Sequence, residues 1–239
     1  MLNAFVEPVE SEHARFRVIA ETQVLLERVI NSQFKDRIAV VSSFGAESAV
    51  LLHLVAQIDP NVPVLFLNTG KLFGETLRYR DRLQELFGLT DLRAIGPHPS
   101  DRAKIDPDGT LWSSKPDACC DFRKTQPLNR ALEGFDAWIT GRKRFQTSDR
   151  SNMAAIETVG LKSRVNPLAD WRQEDLDAYM IEHNLPAHPL VRDGYLSIGC
   201  MACTSRVEKG EDPRSGRWRG TDKDECGIHV QSFTDGDGI

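Results

Sequence analysis

The chain has 239 residues, 40% of them hydrophobic and 27% charged, with a formal net charge of -5 at pH 7. That length suits one large α/β domain with an appended segment better than two independent cores. The mild acidity argues against a general nucleic-acid binder, no run approaches the ~20 apolar residues of a membrane helix, and the acidic start MLNAFVEPVESEH lacks the pattern of a secretory signal.

A cytoplasmic protein is therefore expected, where thiols stay reduced and clustered cysteines serve metals or catalysis more often than disulfides. Val18, Thr22, Leu25, Leu26, Val29 and Ile30 recur at helical spacing and predict an opening amphipathic helix. RIAVV, ending near Val41, reads as a buried strand; SSFGAES follows, and AVLLHLVAQI reads as a helix. VPVLFLN, Val62 to Asn68, is a second strand, and Tyr79, Leu83, Leu86 and Phe87 mark another helix. DLRAIG and AWITG read as further strands. This alternation predicts a parallel, doubly wound sheet, with ligands outside the carboxyl ends of its strands. The loops starting at Ser42, Asn68 and Thr140 should then line one crevice. From about Arg206 the chain turns polar and glycine-rich. The expected division is a single α/β domain over 1–205 and a mobile C-terminal segment over 206–239.

In SSFGAES, Gly45 permits a tight turn while Ser42, Ser43 and Ser48 offer hydroxyls. The free amides at the start of the next helix suit a phosphate or sulfate. An ordinary serine-capped turn is the plain alternative, and the Gly-Lys-Ser/Thr of a P-loop does not follow.

KPDACCDFRK sets Cys119 beside Cys120, and GCMACT carries Cys200 and Cys203. Two such pairs suit zinc or an iron–sulfur cluster. Adjacent cysteines rarely reach one tetrahedron, whereas a cubane spreads its sites over several irons, which favours 4Fe–4S over zinc; incidental thiols are the plain alternative. A thiolate-ligated cluster is anionic, so cations are expected nearby. Lys124, four residues past Cys120, shares its face if CCDFRK is helical. Cys226, in KDECGIH, is left over, with Lys223 three residues before it and His229 three after. A thiol on a polar segment is a candidate nucleophile where cations lower its pKa. Two basic groups stand ready: GRKRFQTSDR, with Arg142, Lys143, Arg144 and Arg150, and DPRSGRW, with Arg214 and Arg217. Arginine forks match phosphate and sulfate oxygens, so together they predict a doubly anionic substrate. Trp112, Trp138, Trp171 and Trp218 are expected to be packing residues.

The motifs SSFGAES, NTGKLFGET, KPDACCDFRKTQPLNRAL, TGRKRFQ, VNPLADW, LPAHPL, GYLSIGCMACT, GRW and ECGIH run from about residue 42 to 229. Together they resemble the assimilatory sulfonucleotide reductases, specifically the cluster-containing adenylyl-sulfate reductases. The resemblance implies the adenine-nucleotide α-hydrolase type of Rossmann-like α/β fold. Residues 1–205 would then be the nucleotide-binding domain holding the cluster cysteines, and 206–239 the tail holding the catalytic one. It implies that Cys226 attacks the sulfate sulfur of adenylyl sulfate (APS), that AMP leaves a Cys S-sulfonate, and that thioredoxin or glutaredoxin releases sulfite, in sulfate assimilation and cysteine biosynthesis. Cys119, Cys120, Cys200 and Cys203 would hold a 4Fe–4S cluster of structural and electrostatic role.

By the same resemblance Lys124, Arg150, Arg214 and Arg217 match positions lining the phosphosulfate site, and Gly141 and Leu67 positions near ribose and adenine. Ser42, Ser43, Gly45, Ser48, Arg142, Arg144 and His229 complete the expected substrate-binding set. Relatives are often oligomers, so a homo-oligomer is expected; neither nucleic acid nor membrane is an expected partner. The chain departs from the family at Phe44, Ser48, Asn68 and Gly74, which bears on the loop contacts and not on the cysteines. Phosphoadenylyl sulfate (PAPS) is the alternative substrate, although relatives specific for it usually lack the four cluster cysteines. Two remoter readings are an ATP pyrophosphatase of tRNA thiolation, disfavoured by Phe44 and Glu47, and a non-catalytic iron–sulfur sensor, which needs no fifth thiol.

Overall fold

The structure, a computed structural model, describes residues 7–220, 223 and 225–229. Helix α1 (Glu7–Arg28) continues into a π-helical turn, Val29–Gln33, and seats Leu26, Val29 and Ile30 in the core. Strand β1 (Ile38–Ser42), helix α2 (Ser48–Ile58), strand β2 (Val64–Leu67), helix α3 (Gly74–Phe87) and strand β3 (Leu92–Ile95) follow in alternation. Three short helices come next: α4 (Pro99–Ile105), α5 (Leu111–Ser114) and α6 (Pro116–Cys120). A π-helical turn, Asp121–Thr125, joins α6 to α7 (Gln126–Leu132), and β4 (Ala137–Ile139) follows. Strands β5 (Ile156–Val159) and β6 (Lys162–Val165) pair as a hairpin before α8 (Gln173–Glu182).

The strand order is β3-β2-β1-β4-β6-β5, and every neighbouring pair is parallel except β5 and β6. Central β1 and β2 read as unbroken apolar runs because both faces of the sheet are covered. Successive residues point to opposite faces: Val40 and Phe66 join Leu52, Val55 and Leu83, whereas Ala39 and Leu65 join Leu128 and Leu132 of α7. The four strands expected from sequence are present. The β5–β6 hairpin was not foreseen, and it makes one edge antiparallel. Its residues Lys162, Ser163 and Arg164 carry no apolar alternation, and Gly160, at φ 60°, makes the tight turn instead. Trp138 and Trp171 are packing residues as expected; Trp218 is buried against Cys120 and Cys226, and with Trp112 it also lines a cavity beside the cysteines.

Beyond residue 205 the described chain lies on this body. Ser205 donates its N–H to Gly216 O at 2.8 Å, and Trp218 donates to Cys203 O at 3.0 Å.

His188 of LPAHPL is buried; its Nδ1 accepts the Leu190 N–H at 3.2 Å and its Nε2 meets Thr76 Oγ1 at 3.0 Å. Burial pushes its pKa from 6.5 down to about 4, with Glu75 opposing. The unfolded chain binds a proton that the folded one refuses, so this stabilisation is complete above about pH 6.5 and is lost as pH falls toward the folded value. Between pH 7 and pH 5, urea unfolding should show the wild type losing about 2 kcal/mol more than His188→Asn does. Equal losses would remove His188 as the cause.

Candidate active site

The carboxyl ends of β1, β2 and β4 open onto a cavity of about 250 Å3. Ser42, Ser43, Gly45 and Ser48 line it from the loop after β1, Leu67 from β2, and Thr140, Gly141 and Arg142 from the end of β4. A Cβ at Gly45 would stand 3.2 Å from Ile198 O, which is why the loop can press so closely on the opposite wall. Phe44 takes a left-handed backbone (φ 51°) and buries its ring edge-on against Phe66, 5.3 Å away. Ser42 Oγ accepts the Phe44 N–H at 3.1 Å, so this hydroxyl serves its own loop while Ser43 is exposed. The loop at Asn68 lines a different, open cleft; its neighbour Thr69 belongs to the inner end of the site.

That inner end is a second cavity of about 90 Å3, lined by Lys124, Arg150, Arg214, Arg217, Glu225 and Cys226. It adjoins the first through Ser43, Leu67, Arg150 and Ile198, which line both. Cys226 is 6% exposed. The Cys120 thiol donates a hydrogen bond to it, and against its burial Lys124, the Ile228 backbone and Arg217 also favour the thiolate, so its pKa falls well below the usual thiol range. Burial alone would neutralise Lys124, but Cys226, Cys200 and Cys120 raise it on balance. Burial lowers Arg217, as does its neighbour Arg214, while Cys226, Cys200 and Cys203 work the other way. A Cβ at Gly199 would lie 2.3 Å from Arg217 Nη2, so only glycine leaves room for this guanidinium. His229 ends a 3-10 turn, and its side chain lies outside the described residues.

The basic run after β4 divides. Arg142 lines the outer cavity, but its guanidinium is held by Glu157 and by Asn166 Oδ1 at 3.0 Å. Lys143 is buried on Glu47, which also accepts from Gln146 Nε2 at 3.1 Å. Arg144 lines neither cavity; it turns outward to Asp170 and donates to Met153 O at 2.7 Å. Arg150 alone of these four reaches the inner cavity.

Cys119, Cys120, Cys200 and Cys203 share the wall of one further cavity with Lys71, Arg123, Lys124, Trp112 and Trp218. All five cysteines are free thiols. The first pair is presented by α6 and the π-helical turn, where Pro127 has no N–H to offer the Arg123 carbonyl and the helical ladder widens. Cys200 is fixed by a bridge to Leu72 and by Thr69 Oγ1 at 3.2 Å. Burial pushes the Cys119 thiol up, Arg123 opposes, and Cys200 and Cys203 each add to the rise. Among the described residues no group of three or more His, Cys, Asp or Glu side chains is set to hold a single metal ion. Four thiols distributed around one wall with three cations fit a multi-iron cluster as a donor set. At about 10 Å3 the space between them is that of a water, so such a group would require the two cysteine segments to part.

Residues 37–206, more than two thirds of the chain, match the family model described as Phosphoadenosine phosphosulfate reductase domain. The chain belongs to this family. It is 55% identical to an adenosine 5′-phosphosulfate reductase of Mesorhizobium japonicum over 209 residues, covering 87% of this chain and 82% of that one. It is 48% identical to one of Chelativorans sp. over 231 residues, covering 96% and 93%, so the similarity extends into the C-terminal segment. A solved phosphoadenylyl-sulfate (PAPS) reductase of Candida auris, in a phosphate complex, has the same fold: TM-score 0.66 at 24% identity, over 82% of this chain and 95% of that one.

The ion pairs of three acidic residues of this reductase-family site escape sequence reasoning: Glu47 with Lys143, Glu225 with Arg150, and Asp106 with Arg123. Asp106 and Arg123 are each 3% exposed and pair at 2.5 Å, and Arg123 also donates to Thr69 O at 2.7 Å. The pair ties the turn after α4 to the cysteine segment and to the loop after β2. Removing the cation alone strands a buried carboxylate. Arg123→Met should cost about 3–5 kcal/mol in urea unfolding, and adding Asp106→Leu should recover most of it. A loss below about 1 kcal/mol in the single variant would contradict a buried, uncompensated Asp106.

Proposed function

We propose that the chain is an adenylyl-sulfate reductase of sulfate assimilation, converting adenylyl sulfate to sulfite and AMP at Cys226. The observation that carries this reading is the meeting of Cys226 with Lys124, Arg150, Arg214 and Arg217 at the inner end of a strand-end crevice. The nucleoside takes the outer cavity, along Ser43, Gly45, Ser48, Leu67 and Gly141, and the phosphosulfate reaches inward to the cations. That both bacterial relatives are adenosine 5′-phosphosulfate reductases favours the unphosphorylated nucleotide over PAPS.

The Cys226 thiolate attacks the sulfate sulfur. The bond from sulfur to the bridging oxygen breaks, and AMP departs with that electron pair, leaving Cys226 as an S-sulfonate. Lys124 and the arginines neutralise the oxygens on which charge collects. A thiolate of thioredoxin, or of glutaredoxin, then attacks the Cys226 sulfur and sulfite leaves. The second thiol of the reductant breaks the mixed disulfide, so both electrons come from that dithiol. Cys226 is too covered for a protein thiol to reach, and the second step therefore calls for movement of the 206–239 segment.

Cys119, Cys120, Cys200 and Cys203 are the residues that would hold a 4Fe–4S cluster, which when bound supplies a fixed negative charge and a cross-link between the two cysteine segments. With the Cys120 proton then gone, Lys124, Arg217 and the Ile228 backbone would be what favours the Cys226 thiolate. Lys124 lines both the cysteine cavity and the inner anion cavity, so it is placed to screen one from the other. No described helix is long and apolar enough to cross a membrane, and dithiol reductants belong to reducing compartments, which supports a cytoplasmic enzyme.

With adenylyl sulfate and thioredoxin, Cys226→Ser should form no sulfite yet keep the iron of the wild type. Cys120→Ala and Cys203→Ala should lose iron first and activity with it. Sulfite formation by Cys226→Ser would overturn the assignment, and normal iron content in both alanine variants would overturn the cluster ligands.

A further inference from the structure

The inner cavity gathers its cations around one carboxylate that nothing in the reaction uses. Glu225 is 9% exposed, and its Oε1 stands 2.5 Å from Arg150 Nη2 and 3.1 Å from Arg214 Nη2. Its Oε2 accepts the N–H of Cys226 at 3.2 Å, so the carboxylate and the thiol move as one piece. The guanidiniums it occupies are the same forks that an oxyanion of the substrate would meet. Two donors nearby, Arg150 Nε and Arg217 Nε, are buried with no hydrogen-bond partner among the described residues. A carboxylate therefore satisfies this site only in part, and a group with more oxygens could satisfy it better.

We propose that Glu225 is an internal placeholder for the substrate's oxyanion, docking the Cys226 segment on Arg150 and Arg214 until an anion takes its place. The identity of that anion rests on the function proposed above; the displacement itself does not. A buried carboxylate is tolerated only while paired, so once an incoming dianion claims the guanidiniums Glu225 moves to water and carries the backbone of Cys226 with it. Anion binding thereby releases the thiol from its covered position and lets it turn toward the bound sulfate. The cost appears in affinity: if Glu225 is out in ~10% of free molecules, apparent binding weakens about tenfold. The benefit is a nucleophile kept covered until an anion arrives.

The test uses anaerobically purified full-length wild type, Glu225→Gln and Glu225→Asp, with inorganic sulfate and AMP as probes. Iodoacetamide modification of the Cys226 peptide, followed by mass spectrometry, should speed up severalfold and saturably as sulfate is added to the wild type. In Glu225→Gln it should be fast without sulfate and insensitive to it. The AMP dissociation constant should fall by roughly fivefold or more in Glu225→Gln and stay within about twofold in Glu225→Asp, which keeps the charge. A wild-type rate indifferent to sulfate, or AMP binding unchanged or weaker in Glu225→Gln, overturns the proposal. Should Glu225→Gln fail to fold, the wild-type sulfate response decides alone. A wild type that makes no sulfite but still shows that response would sink the proposed reaction and leave the placeholder standing.

Discussion

Like charges gathered in a poorly solvated space repel: two unit charges 4 Å apart cost about 4 kcal/mol at an effective dielectric of 20. The inner cavity collects Lys124, Arg150, Arg214 and Arg217 in such a space, so it holds together only because anions are built in among them. Cys226 as thiolate and Glu225 as carboxylate supply that compensation, and the other cysteines lie just behind Lys124. Basicity of the cavity and acidity of the thiol are thus two sides of one interaction.

The fold's contribution is to bring these groups to one point from remote parts of the chain. Parallel β1, β2 and β4 end together, and their loops form the outer crevice. The π-helical turn after α6 delivers Lys124 to the inner end, while the segment past residue 205 returns across the body with Arg214, Arg217 and Cys226. The run after β4 does two jobs. Arg142 and Lys143 brace the crevice by pairing with Glu157 and Glu47, Arg144 turns outward to Asp170, and Arg150 faces the anion. A charge run that looks uniform in sequence is divided by the carboxylates it meets in space.

That division marks what the sequence could tell. Strands β1, β2 and β4 are legible because burial on both faces leaves continuous apolar runs, helix α2 by its length and composition, and helix α3 because its apolar residues repeat at helical spacing. The five cysteines were legible by kind and spacing. The pairing of Glu225 with Arg150 joins positions far apart in the chain and leaves no periodic trace. Arg123 with Asp106, and Arg142 with Glu157, are hidden for the same reason. The β5–β6 hairpin leaves no clear signal because its strands are short and carry polar residues, and the helical reading of CCDFRK is amended to a π-helical turn at Pro127.

The account's central claim is that Cys226 is the atom on which sulfur is transferred. The most direct measurement is the intact mass of the wild type mixed with adenylyl sulfate in the absence of any thiol reductant, followed by peptide mapping. The expected result is a gain of one SO3 group, carried by the peptide that contains Cys226. An unchanged mass while AMP is released, or SO3 found on another residue, would contradict it.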